Sequence, residues 1–190
     1  MQLKIPLCCG DVLLRTLQPE DVTEDYLCWL SDPAINAYLE VRFSPPLSQD
    51  DLASFVAKAN TSSHTLLLGI FLHENGSHIG NIKLGPIDWN HKVGDVGFII
   101  GDNRQWGKGY ASQAIAMLAE YAFKHLSLSK ITAGCYADNV GSCRALLKAG
   151  FFEESRRPSQ WLVNGTRQDG FQFGRISPNI EGLQTFGKNS

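Results

Sequence analysis

A short segment with two glycines carries the clearest chemical signal in the sequence. It covers residues 104–111, with the letters RQWGKGYA, and lies between a strand-like run at 93–100 and a helical run at 111–125. Because Gly107 and Gly109 have no Cβ, each can take a positive φ and let an anion approach the main chain. The following helix offers unpaired N–H groups and the positive end of its dipole. This pattern predicts a backbone cradle for phosphate, in which a pyrophosphate would fit.

Two common nucleotide-binding motifs fit the segment poorly. A dinucleotide fingerprint requires a third Gly or Ala three residues after the second glycine, where the sequence has Ser112. A Walker loop requires four residues between its first glycine and the Gly-Lys pair, but five residues separate Gly101 from Gly107. Gly109 also occupies the position at which Ser or Thr would bind magnesium. A protein that binds ATP or a dinucleotide is therefore a remote alternative.

The segment instead resembles the Q/R-x-x-G-x-G/A signature of the GNAT superfamily of acetyl-CoA-dependent N-acetyltransferases. Arg104, Gly107 and Gly109 stand at its fixed positions. Upstream, the letters GDVG at residues 94–97 resemble the A-E-I-G strand of the Rim-type branch, which acetylates protein N-termini and assorted small amines. The resemblance extends over roughly residues 13–176.

A second block downstream resembles the same family. Asn139 and Ser142 open a short helix that ends at Gly150-Phe151, like the N-x-x-S/A to G-F block in which the Asn faces the cofactor. Many members donate a proton to the departing thiolate from a Tyr in this helix, but the sequence has Leu146 there. The resemblance therefore implies that Ser142, Tyr136 or solvent supplies that proton.

The resemblance implies acetyl-CoA as the cosubstrate, held where two strands of the sheet splay apart. The pantetheine arm would pair with the main chain of Phe98, Ile99 and Ile100. The residues implied to hold the pyrophosphate are Arg104, Gln105, Trp106, Gly107, Lys108, Gly109, Tyr110 and Ala111, and Asn139 is implied to contact the cofactor.

Acetyl transfer to an amine requires a neutral nitrogen, so a group must accept a proton. The reference pKa is about 8 for an α-amine and about 10.4 for lysine, so the demand for a base depends on the acceptor. Asp95 is the candidate base, acting directly or through water, at a position where the family more often has Glu. An ordinary charge on a strand face is the alternative. With Asn139 and Ser142, Asp95 completes the predicted catalytic set.

The acceptor site is expected in the loop at residues 38–43. Tyr38, Glu40 and Arg42 place an acid and a base among aromatic side chains, which could bind a polar amine such as an amino sugar. A surface ion pair between Glu40 and Arg42 is the alternative. A protein or peptide N-terminus is the second acceptor considered, and a CoA-binding module without catalysis is a further alternative, suggested by Asp95 and Leu146.

Composition restricts the partners. The 190 residues carry a formal charge of -2 and no run of Lys and Arg, which argues against nucleic acid. No window approaches the ~18 uncharged residues of a membrane span, so no membrane partner and a cytoplasmic location are expected. The five cysteines have no paired spacing, which predicts reduced thiols and no metal site, with Cys143 a small buried side chain rather than a catalytic thiol. A homodimer is left open.

The pattern of elements predicts one mixed α/β domain at residues 1–176 and a loose tail at 177–190. The expected fold is of the GNAT type, with one central, mostly antiparallel sheet flanked by helices. Predicted strands cover residues 11–17, 65–72, 79–84, 93–100, 131–137, 151–154, 161–163 and 170–176, and predicted helices begin near 18, 48, 111 and 139. A break is expected at 44–46, and a hairpin turn at Asn164-Gly165.

Overall fold

The computed structural model describes residues 1–43, 48–163 and 165–178. The strands are β1 (Leu7–Cys9), β2 (Val12–Thr16), β3 (Leu66–Leu72), β4 (His78–Asp88), β5 (Val93–Ile100), β6 (Lys130–Tyr136), β7 (Phe152–Val163) and β8 (Thr166–Ile176). The helices are α1 (Glu24–Ser31), α2 (Pro33–Asn36), α3 (Gln49–Thr61), α4 (Tyr110–His125) and α5 (Val140–Lys148). Short 3-10 turns occur at Pro19–Asp21, Glu40–Phe43 and Asn103–Gln105.

Within the described residues, the eight strands form one sheet in the order β1-β2-β3-β4-β5-β6-β8-β7. Each neighbouring pair is antiparallel except β5 and β6, which are parallel and are joined through α4. The prediction of one mostly antiparallel sheet flanked by helices is confirmed.

Two helical layers bury the two faces of the sheet. On one face, α4 packs through small side chains such as Ala114 and Ala122, which let it lie close to Val96 of β5 and Ile131 of β6. On the other face, α1 and α3 contribute Trp29, Leu52 and Val56 to a second cluster. Residues that alternate along β5 and β6 therefore point either to α4 or to the side of α1 and α3.

The predicted helix start at residue 18 is wrong. Arg15 and the Gln18 N–H both bind the Asp21 carboxylate, which closes a single 3-10 turn instead of opening a helix. The helix begins later, at Glu24, where the Thr23 hydroxyl accepts from the Tyr26 N–H. The predicted capping box of α3 is present, since Ser48 and Asp51 exchange both of its bonds.

Two strands differ from the prediction. The short β1 had no sequence signal, and β7 is continuous where two separate strands were expected at 151–154 and 161–163. β7 is the sheet edge and most of its residues are exposed, so it lacks the alternation that marks a half-buried strand. An edge strand also tolerates Pro158, which lies in an irregular part of the ladder between Arg157 and Trp161.

Some sequence predictions fall outside the described residues. The break at 44–46, Asn164 of the hairpin turn and residues 179–190 of the tail belong to this group. Gly165, beside the turn, has a φ of 77°. Ser177, at the start of the predicted tail, is buried, and its N–H donates to the Ser129 carbonyl at 2.9 Å.

Candidate active site

β5 and β6 separate along most of their length. They pair only where residues 93–95 face residues 130–132, and beyond Asp95 each strand keeps a partner on its outer side alone. Gly97 and Gly134 lie on either side of the gap, both are exposed, and a Cβ built on either would meet no atom within 4 Å. The inner edge of each strand therefore offers main-chain groups that no neighbouring strand uses.

The glycine segment lies directly after β5 and has the backbone that the sequence predicted. Gly107 and Gly109 have φ values of 77° and 87°, and Gly109 is the N-cap of α4 without any side-chain cap. A Cβ at Gly107 would meet nothing within 4 Å, and one at Gly109 would meet only the Ser112 hydroxyl, at 3.8 Å. The first N–H groups of α4 have no partner within the helix. This geometry fits an anion such as a pyrophosphate.

The two cations of the segment are already bound to neighbouring side chains. The Arg104 guanidinium binds Asp102, with 2.7 Å from Nε to Oδ1, and this contact lowers the pKa of the Asp102 carboxyl. Lys108 Nζ donates to Gln105 Oε1 at 2.8 Å. Arg104 is 83% exposed, so its charge is both paired and screened by solvent. The backbone of the segment is therefore better suited to an anion than its cations are.

Trp106 fixes the segment to the end of β5. Its indole Nε1 donates to the Ile100 carbonyl at 2.8 Å, although half of the side chain is exposed. The Ile100 carbonyl already accepts this bond, and the Ile99 carbonyl lies on the β4 side, against Gly80. Because the main-chain groups of successive strand residues point to opposite edges, those of Phe98 face the gap. Of the three residues predicted to pair with pantetheine, Phe98 is thus the best placed.

Asp95 lies where the two strands diverge. It faces Thr132 across the last β5–β6 pair, and the Thr132 hydroxyl donates to Asp95 Oδ2 at 2.7 Å. Burial raises the pKa of the Asp95 carboxyl, and the Thr132 hydrogen bond and the charges of Lys83 and Arg157 oppose this shift. A half-buried carboxyl with a raised pKa beside an open gap has the properties of a general base.

Asn139 and Ser142 are joined at the start of α5. Asn139 is the N-cap, and its side-chain Oδ1 accepts from the Ser142 N–H at 3.1 Å. Leu146, one turn later, is 1% exposed and lies in the core against the α4 side. Cys143 is half-buried with its sulfur 2.9 Å from that of Cys135, and both thiols are free. The hydrogen bond with Cys135 lowers the pKa of the Cys143 thiol, and a structural instead of a catalytic role for Cys143 stays a prediction.

The predicted acceptor residues meet at one side chain, Tyr136, at the end of β6. Arg42 Nη2 donates to the Tyr136 hydroxyl at 2.8 Å, and that hydroxyl donates to Glu40 Oε1 at 3.2 Å. The Tyr38 ring centroid lies 5.3 Å from that of Tyr136. Among the described residues no ion pair joins Glu40 to Arg42, so the predicted alternative of a direct surface pair is wrong.

Sequence reasoning gave Tyr136 only as a proton source and missed its place at the centre of this cluster. The ring stacks on Trp161 of β7 with centroids 4.9 Å apart, and burial raises the pKa of its hydroxyl, against the effect of Arg42. Alternation along β6 could have suggested this place, because Thr132, Gly134 and Tyr136 share the face that carries Asp95. We refer to Tyr38, Glu40, Arg42, Tyr136 and Trp161 as the acceptor cluster.

Comparison with known proteins agrees with this geometry. Residues 11–152 match the model of the acetyltransferase (GNAT) domain. The N-acetyltransferase p20 of Bacillus licheniformis is 27% identical over 171 residues, which cover 89% of this chain and 94% of p20. YdaF of Bacillus subtilis, named for a proposed ribosomal N-acetyltransferase activity, is 28% identical over 108 residues, which cover 57% of this chain and 58% of YdaF.

A solved structure shows the same fold. The spermidine N-acetyltransferase from Vibrio cholerae, in complex with CoA and spermine, superimposes with a TM-score of 0.76 at 23% identity. The superposition covers 88% of this chain and 96% of that chain.

The chain belongs to the GNAT acetyltransferase family. It is an N-acetyltransferase that uses acetyl-CoA as its cosubstrate, as the sequence motifs predicted, and its relatives are consistent with the Rim-type branch. In the part of the chain that the structure describes, no helix is long and apolar enough to cross a membrane. No group of three His, Cys, Asp or Glu side chains in that part is arranged to hold a metal ion.

Proposed function

We propose that this protein acetylates the primary amine of a small polar acceptor such as an amino sugar. The observation that carries the proposal is the acceptor cluster, in which polar groups of Glu40 and Arg42 converge on Tyr136 at the open end of the β5–β6 gap. Aromatic faces of Tyr38 and Trp161 flank the same point. Aromatic walls with a few oriented polar groups suit a small polar ligand.

In the proposed reaction each part of the site has one task. Acetyl-CoA supplies the thioester, and the backbone at 106–111 and the inner main-chain edge at Phe98 hold it in the gap. Asp95 accepts the proton of the attacking amine, directly or through water, so that the nitrogen lone pair is free. A main-chain N–H of β5 stabilises the negative charge that forms on the carbonyl oxygen.

The proton for the CoA thiolate has three candidate sources: Ser142, the Tyr136 hydroxyl and solvent. The raised pKa of Tyr136 keeps its proton available, although Glu40 already accepts it. A thiol with a reference pKa of about 8.5 leaves readily near neutral pH, so solvent can suffice. Leu146 in the core does not then prevent catalysis.

A peptide N-terminus is the second candidate acceptor. The similarity to YdaF favours it, because YdaF is named for a proposed activity on ribosomes. An α-amine loses its proton more easily than a lysine, so a single carboxyl base would suffice for it as well. The predicted cytoplasmic location and the homodimer remain predictions.

The first test is thermal stabilisation by acetyl-CoA, CoA, ATP and NAD in parallel. A ligand at one hundred times its Kd should stabilise the native state by about 2.7 kcal/mol, or roughly 5–10 °C in Tm for a chain of this size. We expect a shift with acetyl-CoA and CoA alone.

CoA release should then be followed with amino sugars, spermidine and short peptides as acceptors. Release that depends on an amino sugar supports the proposal, and release with peptides alone supports the second candidate. Tight acetyl-CoA binding without release for any amine would identify a binding module and overturn both.

A further inference from the structure

Strand register places two cations beside the β5–β6 gap on the face that carries Asp95. Lys83 of β4 pairs with Gly97 of β5, so their side-chain positions share one face of the sheet. Across the gap, Tyr136 pairs with Gly170 of β8, which in turn pairs with Arg157 of β7. Both cations act on the same carboxyl, since each lowers the pKa of Asp95 against the effect of its burial.

Asp95 acts on both cations only at longer range, and among the described residues no carboxylate lies within ion-pair distance of either. No hydrogen bond or ion pair involves the side chain of Lys83 or Arg157 there, although Lys83 is half-buried on a central strand. By contrast, Arg156, the neighbour of Arg157, binds Asp169, and Lys130 binds Glu154. Holding the ammonium group of half-buried Lys83 away from full hydration costs free energy, which a bound anion would offset. Arg157 is exposed, so it contributes its charge without this cost.

Arg42 adds a third positive charge at the same end of the gap. Its guanidinium donates to the Leu39 carbonyl, the Tyr136 hydroxyl and the Leu162 carbonyl, none of which is charged. Three cations thus surround the gap, while the carboxylates on this face are Asp95, Glu40 and Glu154, the last of which is already bound to Lys130. A polycation entering here would meet like charges, whereas an anionic group would meet opposite ones.

We propose that the acceptor carries an anionic group, a carboxylate or a phosphate, in addition to its amine, and that Lys83 and Arg157 bind that group. The inference rests on the acceptor site of the proposed function and restricts its substrate class to acidic amines. The two cations orient the acceptor from opposite sides of the gap, and Asp95 between them remains free to accept the proton of the amine.

The test uses pairs of acceptors that differ only in the anionic group. Glucosamine 6-phosphate is compared with glucosamine, and alanine with alaninamide, with spermidine as the cationic reference. We expect kcat/KM from CoA release to be roughly ten- to a hundred-fold higher for the anionic member of at least one pair, and this ratio to fall as salt is added. A preference in the first pair alone identifies a phosphate, and one in the second alone identifies a carboxylate.

Substitutions of Lys83 and Arg157 test whether these two cations cause the preference for anionic acceptors. Lys83→Gln and Arg157→Gln should each reduce the ratio of anionic to neutral kcat/KM several-fold, mainly through KM for the anionic member. Arg156→Gln is the matched control, because Arg156 is adjacent on β7, pairs with Phe171 instead of Gly170 and is bound by Asp169. Its ratio should equal that of the wild type.

A ratio near one in both wild-type pairs, or a ratio that Lys83→Gln and Arg157→Gln leave unchanged, would overturn the inference while leaving the acetyltransferase activity intact. Calorimetric titration of the CoA-loaded protein with the same pairs provides the comparison without turnover. If no amine is acetylated, the proposed function fails, yet a binding preference for the anionic members would still support this inference and equal binding would reject it.

Discussion

The charged carboxylate that Asp95 needs as a general base lowers the stability of the folded protein. Burial raises the pKa of its carboxyl above the ordinary value of 3.8, so the fold favours the protonated form. Its contribution to stability is therefore greatest below that value and is lost as the pH rises through the raised pKa. At neutral pH the protein holds a half-buried charge that has one hydrogen bond, from Thr132. Retaining such a group is understandable if it takes part in the reaction.

Replacing Asp95 by Asn should separate these two effects. Asn keeps an acceptor for Thr132 and removes the charge, so we expect a higher Tm at pH 7 and a gain that disappears below about pH 4. Loss of a general base should reduce turnover by about 10²–10⁴-fold, with acetyl-CoA binding retained. Thermal melts across pH and the pH dependence of kcat/KM measure both. Asp88→Asn is the control, because Asp88 is exposed and its pKa is lowered, so this variant should not gain stability.

Gly109 is the second residue whose identity matters. We expect Gly109→Val to lose acetyl-CoA binding while still folding, because a branched side chain at a φ of 87° strains the backbone and covers the first N–H groups of α4. Gly76→Val is the matched control, with a φ of 70° and open space in the turn after β3. Both variants should be destabilised by about 1–2 kcal/mol. Calorimetry that gives Gly109→Val the affinity of Gly76→Val would reject the phosphate cradle.

The elements show which parts of the architecture could be predicted from sequence. α4 and β5 were predicted almost to their ends, because a periodic run of alanines and aliphatic residues and a mostly apolar strand interrupted only by Asp95 are local signals. The edge strand β7 was predicted as two pieces, because its exposed residues carry no alternation. The separation of β5 from β6 depends on partners far apart in the sequence, so only the resemblance to a known family implied it.

The candidate site likewise has residues that could be predicted from the sequence and residues that could not. Its glycine segment is contiguous and was predicted residue by residue, since a positive φ and a helix N-terminus are local properties. The three acceptor residues were also chosen from one loop. Their partner Tyr136 lies 94 positions from Arg42 and 96 from Glu40, and no local pattern connects residues at such a distance.

At the element scale, the N-cap of α5 provides a test of two roles for Asn139. Asn139→Ala should destabilise the protein by about 1 kcal/mol through loss of the bond from the Ser142 N–H. Asn139→Asp keeps an acceptor at the cap and should restore stability. If the amide also contacts acetyl-CoA, Asn139→Asp should still show a raised KM for acetyl-CoA. If Asn139→Asp has both the stability and the KM for acetyl-CoA of the wild type, Asn139 has the capping role alone.

At the scale of the whole molecule, the acceptor cluster connects distant parts of the chain. The loop at 38–43 comes from the helical layer that includes α1 and α2, whereas Tyr136 and Trp161 belong to the far end of the sheet. Arg42 reaches both strands, through the Tyr136 hydroxyl and the Leu162 carbonyl. The cluster therefore forms only after the sheet and the helical layer have assembled, which makes acceptor recognition a property of the complete fold.

Cosubstrate binding should leave a distinct pattern of hydrogen exchange across the molecule. The amides of Phe98 and Ile100 lie on the unpaired edge of β5, and those at 109–112 open α4. Both groups should exchange more slowly when acetyl-CoA is bound, because its amides and phosphates would then pair with them. Amides of β3, which is paired on both sides, should not change.

A different pattern would place the cosubstrate elsewhere. The structure also has a cavity of about 200 Å³, away from the gap, which Asp25, Asp32 and Asp102 line together with Arg104, Trp29 and His78. The three carboxylates outnumber the one guanidinium, which is itself bound to Asp102, and would repel a pyrophosphate, so we expect no protection around α1. Slower exchange at residues 25–32, with residues 97–100 and 109–112 unchanged, would contradict the proposed phosphate site at the start of α4. It would indicate that acetyl-CoA binds in that cavity instead. Hydrogen exchange in the presence of acetyl-CoA should also be compared between Gly109→Val and Gly76→Val. A loss of protection in Gly109→Val alone would indicate lost binding, whereas a similar change in both variants would indicate a general change in stability.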